Sequence, residues 1–193
     1  LGPDVIVIGG GDSAIDASRI ARRHGARNVT IMYRRTRSEM PTNPIEIREA
    51  EIEGNTAEFL ANISAIRPHD DRLEVDVVRM RLGAFDPSGR RRPEPIPGHE
   101  EIRVVDNIII AIGQQSDAAN IVQTTEGLVG DRWGGIEADA KTGVTARANV
   151  FAGGDLVLGA ATVVEAIQAG QIGARSIDQM ILPDASRTYP WEQ

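Results

Sequence analysis

Two kinds of apolar pattern alternate at the start of the chain. Four consecutive apolar residues at positions 5–8 predict a short buried strand. A helix is expected next, because small residues recur along one face at Ala14, Ala17 and Ala21, and Gly25 suits its C-terminus. Residues 28–32 carry apolar side chains at positions 29, 31 and 32 and predict a second strand. This order of strand, helix and strand is typical of a parallel sheet in an α/β domain.

The pattern then changes from helical to strand-like. Residues 43–54 predict a short acidic helix, with Pro44 near its start and Gly54 at its end. Residues 56–82 carry strand signals on both sides of a turn at residues 69–71, and apolar and acidic positions alternate after that turn. This alternation predicts a hairpin with one solvent-facing side.

Residues 83–101 are rich in glycine, proline and charge, so we expect a surface loop there. Residues 104–113 return to an apolar run and predict a strand buried on both faces, which would join the parallel sheet. Residues 1–113 therefore predict a Rossmann-like, three-layer α/β dinucleotide-binding domain in which a β-meander forms one crossover.

The remaining residues are less regular. Residues 116–131 show no period, while residues 136–139 and 149–155 predict short strands, the second closed by an acidic turn. Residues 160–179 predict a helix with small residues on one side. We expect residues 114–182 to be a separate segment, followed by a tail at residues 183–193.

Composition narrows the possible functions. The net charge of -7 argues against nucleic acid as a partner, and no apolar run is long enough to predict a membrane span. We therefore expect a soluble, cytoplasmic protein. The absence of cysteine excludes disulfides, thiolate-bound metals and dithiol redox chemistry within these 193 residues. Because the chain starts at Leu1 rather than at a methionine, we interpret it as part of a longer protein.

The segment between the first strand and the first helix has the pattern of a phosphate-binding turn. Gly9, Gly11 and Ala14 occupy the three small-residue positions of a G-x-G-x-x-A motif. In such a turn the first glycine permits the sharp bend, and the second lets a pyrophosphate approach the backbone. The helix N-terminus then binds the anion through free amides. A tight turn without a ligand is the alternative, but the flanking strand and helix favour a dinucleotide site.

The end of the second strand indicates which dinucleotide is bound. An NAD site usually has an acidic residue there, whereas this chain has Arg34, Arg35 and Arg37. Guanidinium groups match the 2′-phosphate of NADP. A solvated basic loop is the alternative, but the position of the cluster favours NADPH over NADH.

Four segments together resemble a known family: GGGDSAIDASRIARRHGARNVTIMYRRTRSEMP, RRRPEPIPG, AIGQQSD and NVFAGGDLVLGAATVVEAIQAGQIGARSID. They are similar to the NADPH-dependent glutamate synthase small (beta) subunit family, whose members are flavoproteins with two dinucleotide-binding domains. The resemblance spans nearly the whole chain. It implies that residues 1–113 are the NADPH domain and that residues 114–182 are the carboxy-terminal portion of an FAD domain.

The resemblance also implies which residues contact the cofactors. Because the cofactors carry the chemistry and the chain has no cysteine, we name no catalytic side chain and no metal ligand. The pyrophosphate of NADPH would lie along Gly9, Gly11, Asp12, Ser13 and Ala14, and we expect Gly10 in the same cofactor site. Ala111, Ile112 and Gly113 are also expected to bind the cofactor, where Gly113 would let backbone lie against it or would merely be a strand-end glycine. The 2′-phosphate would meet Arg34, Arg35 and Arg37. FAD would contact Gly154 and Asp155 through its ribityl chain and phosphate, and Ala161, Thr162 and Val163 through its ring.

The same resemblance predicts electron transfer from NADPH through FAD to iron–sulfur centres or a partner subunit. Family members carry a first FAD half and cysteine-bound clusters that these 193 residues lack, so we expect weak FAD binding or none by this chain alone. The possible partners are the missing FAD-domain half, a glutamate synthase large subunit, a ferredoxin-type protein, or a second copy through helix 160–179. A free-standing NADP(H)-binding module without turnover is the alternative function, as is the NADPH subunit of a ferredoxin-linked oxidoreductase.

Overall fold

The computed structural model describes residues 1–86, 89–183 and 188–192, which form two compact units, Leu1–Gly113 and Gln114–Gln193. Within the described residues, the first unit contains two α-helices and seven strands. In chain order they are β1 Asp4–Ile8, α1 Asp12–Arg23, β2 Asn28–Tyr33, α2 Pro44–Ile52, β3 Thr56–Phe59, β4 Ala61–His69, β5 Arg72–Phe85, β6 Arg91–Val105 and β7 Asn107–Ile110. A short 3₁₀ turn, Arg37–Glu39, lies between β2 and α2.

Strands β3, β2, β1 and β7 form a parallel sheet in that order. Alternate residues of β1 face opposite sides of this sheet. Val5 and Val7 pack against α1, whereas Ile6 packs against the meander strands β4, β5 and β6. The predicted α/β architecture with a meander crossover is therefore confirmed.

Helix α1 lies close to the sheet because Ala14 and Ala21 on its inner face are fully buried. The chain leaves α1 through Gly25, whose φ of +99° is a left-handed conformation that glycine adopts without strain. Helix α2 begins where predicted, with the Asn43 side chain accepting a hydrogen bond from the Ile45 amide and Pro44 in the first turn.

The meander is an antiparallel sheet with the order β4, β5, β6. The predicted hairpin around residues 69–71 is confirmed, but the surface loop predicted at residues 83–101 is wrong, although residues 87–88 lie outside the described part. β5 runs to Phe85 and β6 begins at Arg91. The prolines of β6 fit a strand because β6 is at an edge of its sheet, where missing amide donors need no partner.

The apolar run at residues 104–113 divides at Asp106 into the end of β6 and the start of β7. Strand β7 pairs in parallel with β1, as predicted. The prediction of burial on both faces is wrong, because β7 is an edge strand and Ile110 is 63% exposed. The Asp106 carboxylate accepts a hydrogen bond from the Asp4 amide at 2.7 Å and pairs with Arg72 at 2.8 Å.

The second unit has a small core of Ala118, Leu128 and Ile136. Its helices are α3 Ala119–Thr124, α4 Asp155–Leu158 and α5 Val163–Ile181. The strands predicted at residues 136–139 and 149–155 are replaced by isolated β-bridges, and α3 lies within the segment expected to be irregular.

The predicted helix at residues 160–179 is confirmed as α5. Its small residues Ala169 and Gly173 lie close to Gly153 and Gly143, so one side of the helix packs tightly. No residue of α5 is buried, and an apolar stripe at three- and four-residue spacing is left exposed. The large members of this stripe are Val163, Val164, Ile167, Ile177 and Ile181.

The predicted tail at residues 183–193 contains a 3₁₀ turn, Pro190–Glu192, while residues 184–187 and 193 lie outside the described part. Among the residues that the structure describes, no helix combines the length and the apolar character needed to cross a membrane.

Candidate functional site

The first two glycines of the turn are required by packing. Gly9 has a φ of +149°, and a Cβ there would overlap the carbonyl oxygen of Ala111. Its amide donates to the Met32 carbonyl at 3.0 Å. A Cβ on Gly10 would come within 2.5 Å of the Tyr33 ring. The absence of side chains at Gly9 and Gly10 therefore lets the turn pack directly against β2 and the end of β7.

Gly11 is different because the space around it is open. A Cβ on Gly11 would have only Pro41 Cγ nearby, at 4.0 Å, and the residue's φ of −90° and ψ of 176° are allowed for any side chain. Within the described part of the chain, the amides of Gly11, Asp12 and Ser13 have no protein acceptor. Free amides at a helix N-terminus form an anion site, and here no side chain blocks it.

A loop that sequence analysis did not single out holds the turn in place. The Thr42 hydroxyl donates to Asp12 Oδ1 at 2.7 Å, and the Thr42 amide donates to the Gly10 carbonyl at 3.3 Å. Thr42 is buried, although it belongs to no helix or strand. No periodic signal identifies such a residue, since its role depends on where the chain returns after β2.

The three arginines after β2 have different environments. Arg34 is exposed and has no hydrogen bond or ion pair within the described residues. The Arg37 guanidinium pairs with Glu51 and lies over the Phe59 ring, 5.1 Å from its centroid. Arg34 is thus a free cation beside the turn, and Arg37 is partly engaged.

Arg35, which is also predicted to meet the 2′-phosphate, has a different environment from Arg34. Its side chain is only 6% exposed, its Nε donates to the Arg91 carbonyl at 2.8 Å, and its Nη2 lies 3.3 Å from Asp86 Oδ2. Arg35 lies in a bend two residues beyond the end of β2, and its side chain contacts the β5–β6 hairpin instead of solvent. The structure therefore does not present Arg35 to solvent as it presents Arg34.

The end of β7 completes the same region. The Ala111 amide donates to the Ile8 carbonyl at 2.8 Å, which keeps β7 and β1 paired up to the turn. Ile112 and Gly113 follow as exposed residues, and Gly113 has a φ of +97°. Because β1, β2 and β7 are parallel, the turn, Arg34 and residues 111–113 meet at the carboxyl edge of one sheet, where α/β folds bind ligands.

The predicted FAD-contacting residues lie in the second unit. Gly154, with a φ of +65°, precedes α4, and Asp155 begins that helix with an exposed side chain. Ala161, Thr162 and Val163 are exposed at the N-terminus of α5.

The N-terminus of α5 is closed by its own side chains. Thr162 Oγ1 accepts from the Glu165 amide, and Glu165 Oε2 accepts from the Thr162 amide at 2.8 Å. The Thr162 amide and hydroxyl both donate to Glu165 and so hold the pKa of that carboxyl below its usual range. The carboxylate stays ionised at neutral pH.

A pocket of about 210 Å³ lies beside these residues, within the second unit. Its walls combine backbone of the Gly153–Gly154 turn with apolar and polar side chains of α4 and α5. The side chains that line it include Val157, Leu158, Glu165, Gln168 and Ile172. Gly154 therefore faces a cavity, whereas Asp155 is not part of its wall.

Comparisons with known proteins identify the family of the chain. A family model described as pyridine nucleotide-disulphide oxidoreductase matches residues 1–170. The chain is 46% identical over 181 residues to the beta subunit of the NADP(+)-dependent formate dehydrogenase of Moorella thermoacetica, and it covers 25% of that protein. It is 39% identical over 181 residues to the NADPH-dependent glutamate synthase small chain of Halomonas elongata and covers 38% of it. These alignments include 93% and 91% of the present chain, respectively.

Solved structures share the fold at lower identity. Thioredoxin reductase of T. acidophilum superposes with a TM-score of 0.71 at 20% identity, over 92% of this chain and 52% of that one. FprA of Mycobacterium tuberculosis superposes with a TM-score of 0.72 at 17% identity, over 99% and 56% respectively. The chain thus spans about half the length of these structures and less than half of its curated relatives.

Proposed function

Because the chain belongs to the pyridine nucleotide-disulphide oxidoreductase family, we propose that it is the NADPH-binding electron-input module of an NADPH:FAD oxidoreductase similar to the glutamate synthase small subunit. The observation that carries this proposal is the pairing, at one sheet edge, of an open amide-lined turn at Gly11 with the unpartnered cation of Arg34. A dinucleotide with an extra phosphate needs both features.

The residues of the first unit fit NADPH. The amides of Gly11, Asp12 and Ser13 would hold the pyrophosphate, and Arg34, with help from Arg37, would hold the 2′-phosphate. Asp12 is fixed by Thr42, so its carboxylate stays turned toward that hydroxyl. The exposed backbone of residues 111–113 would lie along the nicotinamide side, where Gly113 lacks a side chain that would block the approach.

The second unit would hold part of FAD. Gly154 permits close approach by its backbone, Asp155 offers an exposed carboxylate for hydroxyl groups, and residues 161–163 are exposed beside the capped start of α5. The chemistry that the two cofactors would supply when bound is transfer of a hydride from NADPH to FAD. No side chain of this chain has to transfer a proton for that step, so we name no catalytic residue.

The protein that accepts electrons from the reduced FAD is also proposed. One relative is named as a formate dehydrogenase subunit and another as a glutamate synthase small chain, so relatives of this chain are named for different reactions. We propose that the present chain works with a partner subunit or iron–sulfur protein and with the remainder of an FAD domain.

Calorimetric titration of the 193-residue chain with NADPH and with NADH tests the proposal. We expect NADPH to bind at least about tenfold more tightly, because a guanidinium–phosphate contact contributes roughly 1.5–3 kcal/mol. Arg34→Met should remove most of this preference. Arg48→Met, at an exposed arginine on α2, is the matched control and should change neither affinity.

Equal binding of the two dinucleotides by the wild-type chain would refute the assignment of the 2′-phosphate. Binding of neither would refute a cofactor site formed by this chain alone.

A further inference from the structure

Arg35 joins the end of β2 to the tip of the β5–β6 hairpin. Its Nε donates to the Arg91 carbonyl at 2.8 Å, and its Nη2 lies 3.3 Å from Asp86 Oδ2. These partners are more than 50 residues away in the sequence. The contact is buried, with side-chain exposures of 6% for Arg35 and 20% for Asp86.

Asp86 is itself fixed at the hairpin tip. Its amide donates to the Arg90 carbonyl at 2.7 Å, and its Oδ1 accepts from the Arg90 amide at 3.1 Å. The Asp86 carboxylate therefore contacts both the turn of the hairpin and the guanidinium of Arg35. The Arg35 side chain meets an acceptor that cannot easily move away.

The backbone around Arg34 is held on both sides. Before it, the Tyr33 hydroxyl donates to the Glu39 carbonyl at 2.9 Å, and the Tyr33 ring packs beside Gly10. After it, the Arg35 carbonyl accepts from the Leu60 amide at 3.1 Å. Arg34 is the exposed residue between two anchored neighbours.

We propose that Arg35 is a positioning residue that ties β2 to the hairpin tip through Asp86 and the Arg91 carbonyl, and thereby holds Arg34 as the guanidinium that selects a 2′-phosphate. This inference rests on the proposed NADPH function and deepens it. It assigns different roles to Arg34 and Arg35, two adjacent residues of the same type. The antiparallel hairpin then contributes to cofactor selection without touching the cofactor.

The physical reason is preorganisation. An arginine side chain has many rotamers, so ordering it on binding costs conformational free energy even when the backbone is fixed. If the backbone around residue 34 is mobile, binding of the phosphate must order the backbone as well as the side chain, and the total cost is larger. The binding of a dinucleotide without the 2′-phosphate does not include that cost.

Asp86→Asn is the decisive variant, because the amide keeps an oxygen acceptor for the Arg90 amide but loses the charge that holds Arg35. A phosphate-binding Arg35 would be freed by this change, and NADPH affinity would stay the same or rise. A positioning Arg35 would lose its anchor, and NADPH affinity would fall by about three- to tenfold with NADH affinity unchanged. Asp76→Asn, an acid-to-amide change at another arginine-paired site of β5, is the control and should leave both affinities unchanged.

The measurement is the ratio of NADPH to NADH affinity by calorimetry on the full chain, with Arg35→Met and the double variant alongside. We expect Arg35→Met and Asp86→Asn to lower the ratio similarly, and the double variant to lower it no further, since both remove one contact. A lower Tm in these variants with an unchanged ratio would overturn the positioning role. So would a ratio that Arg35→Met lowers and Asp86→Asn preserves or raises.

Failure of the proposed function has a different signature. A wild-type chain without preference for NADPH would refute that function, and the positioning role with it, before any variant is made. A wild-type preference that Asp86→Asn leaves intact refutes the positioning role alone.

Discussion

Replacing Gly11 by alanine separates cofactor binding from folding. The Gly11 backbone is in an extended conformation that alanine adopts freely, and the nearest atom to the new methyl group would be Pro41 Cγ at 4.0 Å. A glycine-to-alanine change at such a position stabilises a protein by about 0.4–1 kcal/mol through the unfolded state. Alanine is a poorer N-cap than glycine by a comparable amount. We therefore expect the stability of Gly11→Ala to stay within about 1 kcal/mol of wild type.

The effect on binding should be much larger. The added methyl group occupies the open space through which a pyrophosphate would reach the amides of Asp12 and Ser13. Hydrogen bonds to charged groups contribute roughly 1.5–3 kcal/mol each, so loss of one corresponds to about a ten- to hundredfold weaker affinity for NADPH. NADH should be weakened by the same factor, since both dinucleotides contain the pyrophosphate.

Gly10→Ala is the contrasting variant. Its methyl group would lie 2.5 Å from the Tyr33 ring, so the ring or the turn must shift. Overpacking of this kind costs typically about 1–3 kcal/mol, and we expect a lower Tm for this variant. Urea unfolding and calorimetric titration of both variants provide the assay. Wild-type affinity for NADPH in Gly11→Ala would refute the placement of the pyrophosphate at Gly11. Unfolding of Gly11→Ala would refute the conclusion that the backbone and the space at Gly11 accept a side chain.

Three further predictions concern stability and assembly. The Arg103 guanidinium, which hydrogen-bonds Glu58, holds the pKa of the Glu58 carboxyl below its usual range. The ion pair therefore stabilises the fold fully above the ordinary glutamate pKa of about 4.3, and this stabilisation is lost as the pH falls through the lowered pKa of the folded state. Glu58→Gln should therefore cost about 2 kcal/mol in urea unfolding at neutral pH, and a difference that persists undiminished in acid would contradict this. Ile167→Glu, in the exposed stripe of α5, should reduce concentration-dependent self-association in sedimentation velocity without lowering Tm; unchanged sedimentation would argue against a homodimer through this helix. Thr162→Ala removes the cap of α5 and should cost about 1 kcal/mol, seen as faster amide exchange in the first turn, while uniform protection would show that the cap is dispensable.

Much of the first unit could be predicted because its signals are local. The apolar run of β1, the small residues of α1 and the cap of α2 each depend on a few neighbouring residues, and all three elements form where expected. The resemblance to the glutamate synthase small-subunit family is likewise confirmed, since two relatives with that name are 39% identical to this chain over 181 and 179 residues.

The errors arise where distant partners decide the outcome. The proline-rich residues 91–105 form a strand because β5 supplies their hydrogen-bond partners and the opposite edge is open. Arg34 and Arg35 cannot be told apart by sequence, because the carboxylate that engages Arg35 lies 51 residues further along. The individual cofactor contacts remain predictions.

The single-residue junction at Asp106 has a mechanical consequence. β6 ends at Val105 and β7 begins at Asn107, so no slack loop separates the antiparallel sheet from the parallel one. Four residues of β7 then lead to Ala111, whose carbonyl leaves no room for a side chain on Gly9. A displacement of the meander is therefore transmitted through β7 to the glycine turn at residues 9–11, with no intervening loop to absorb it.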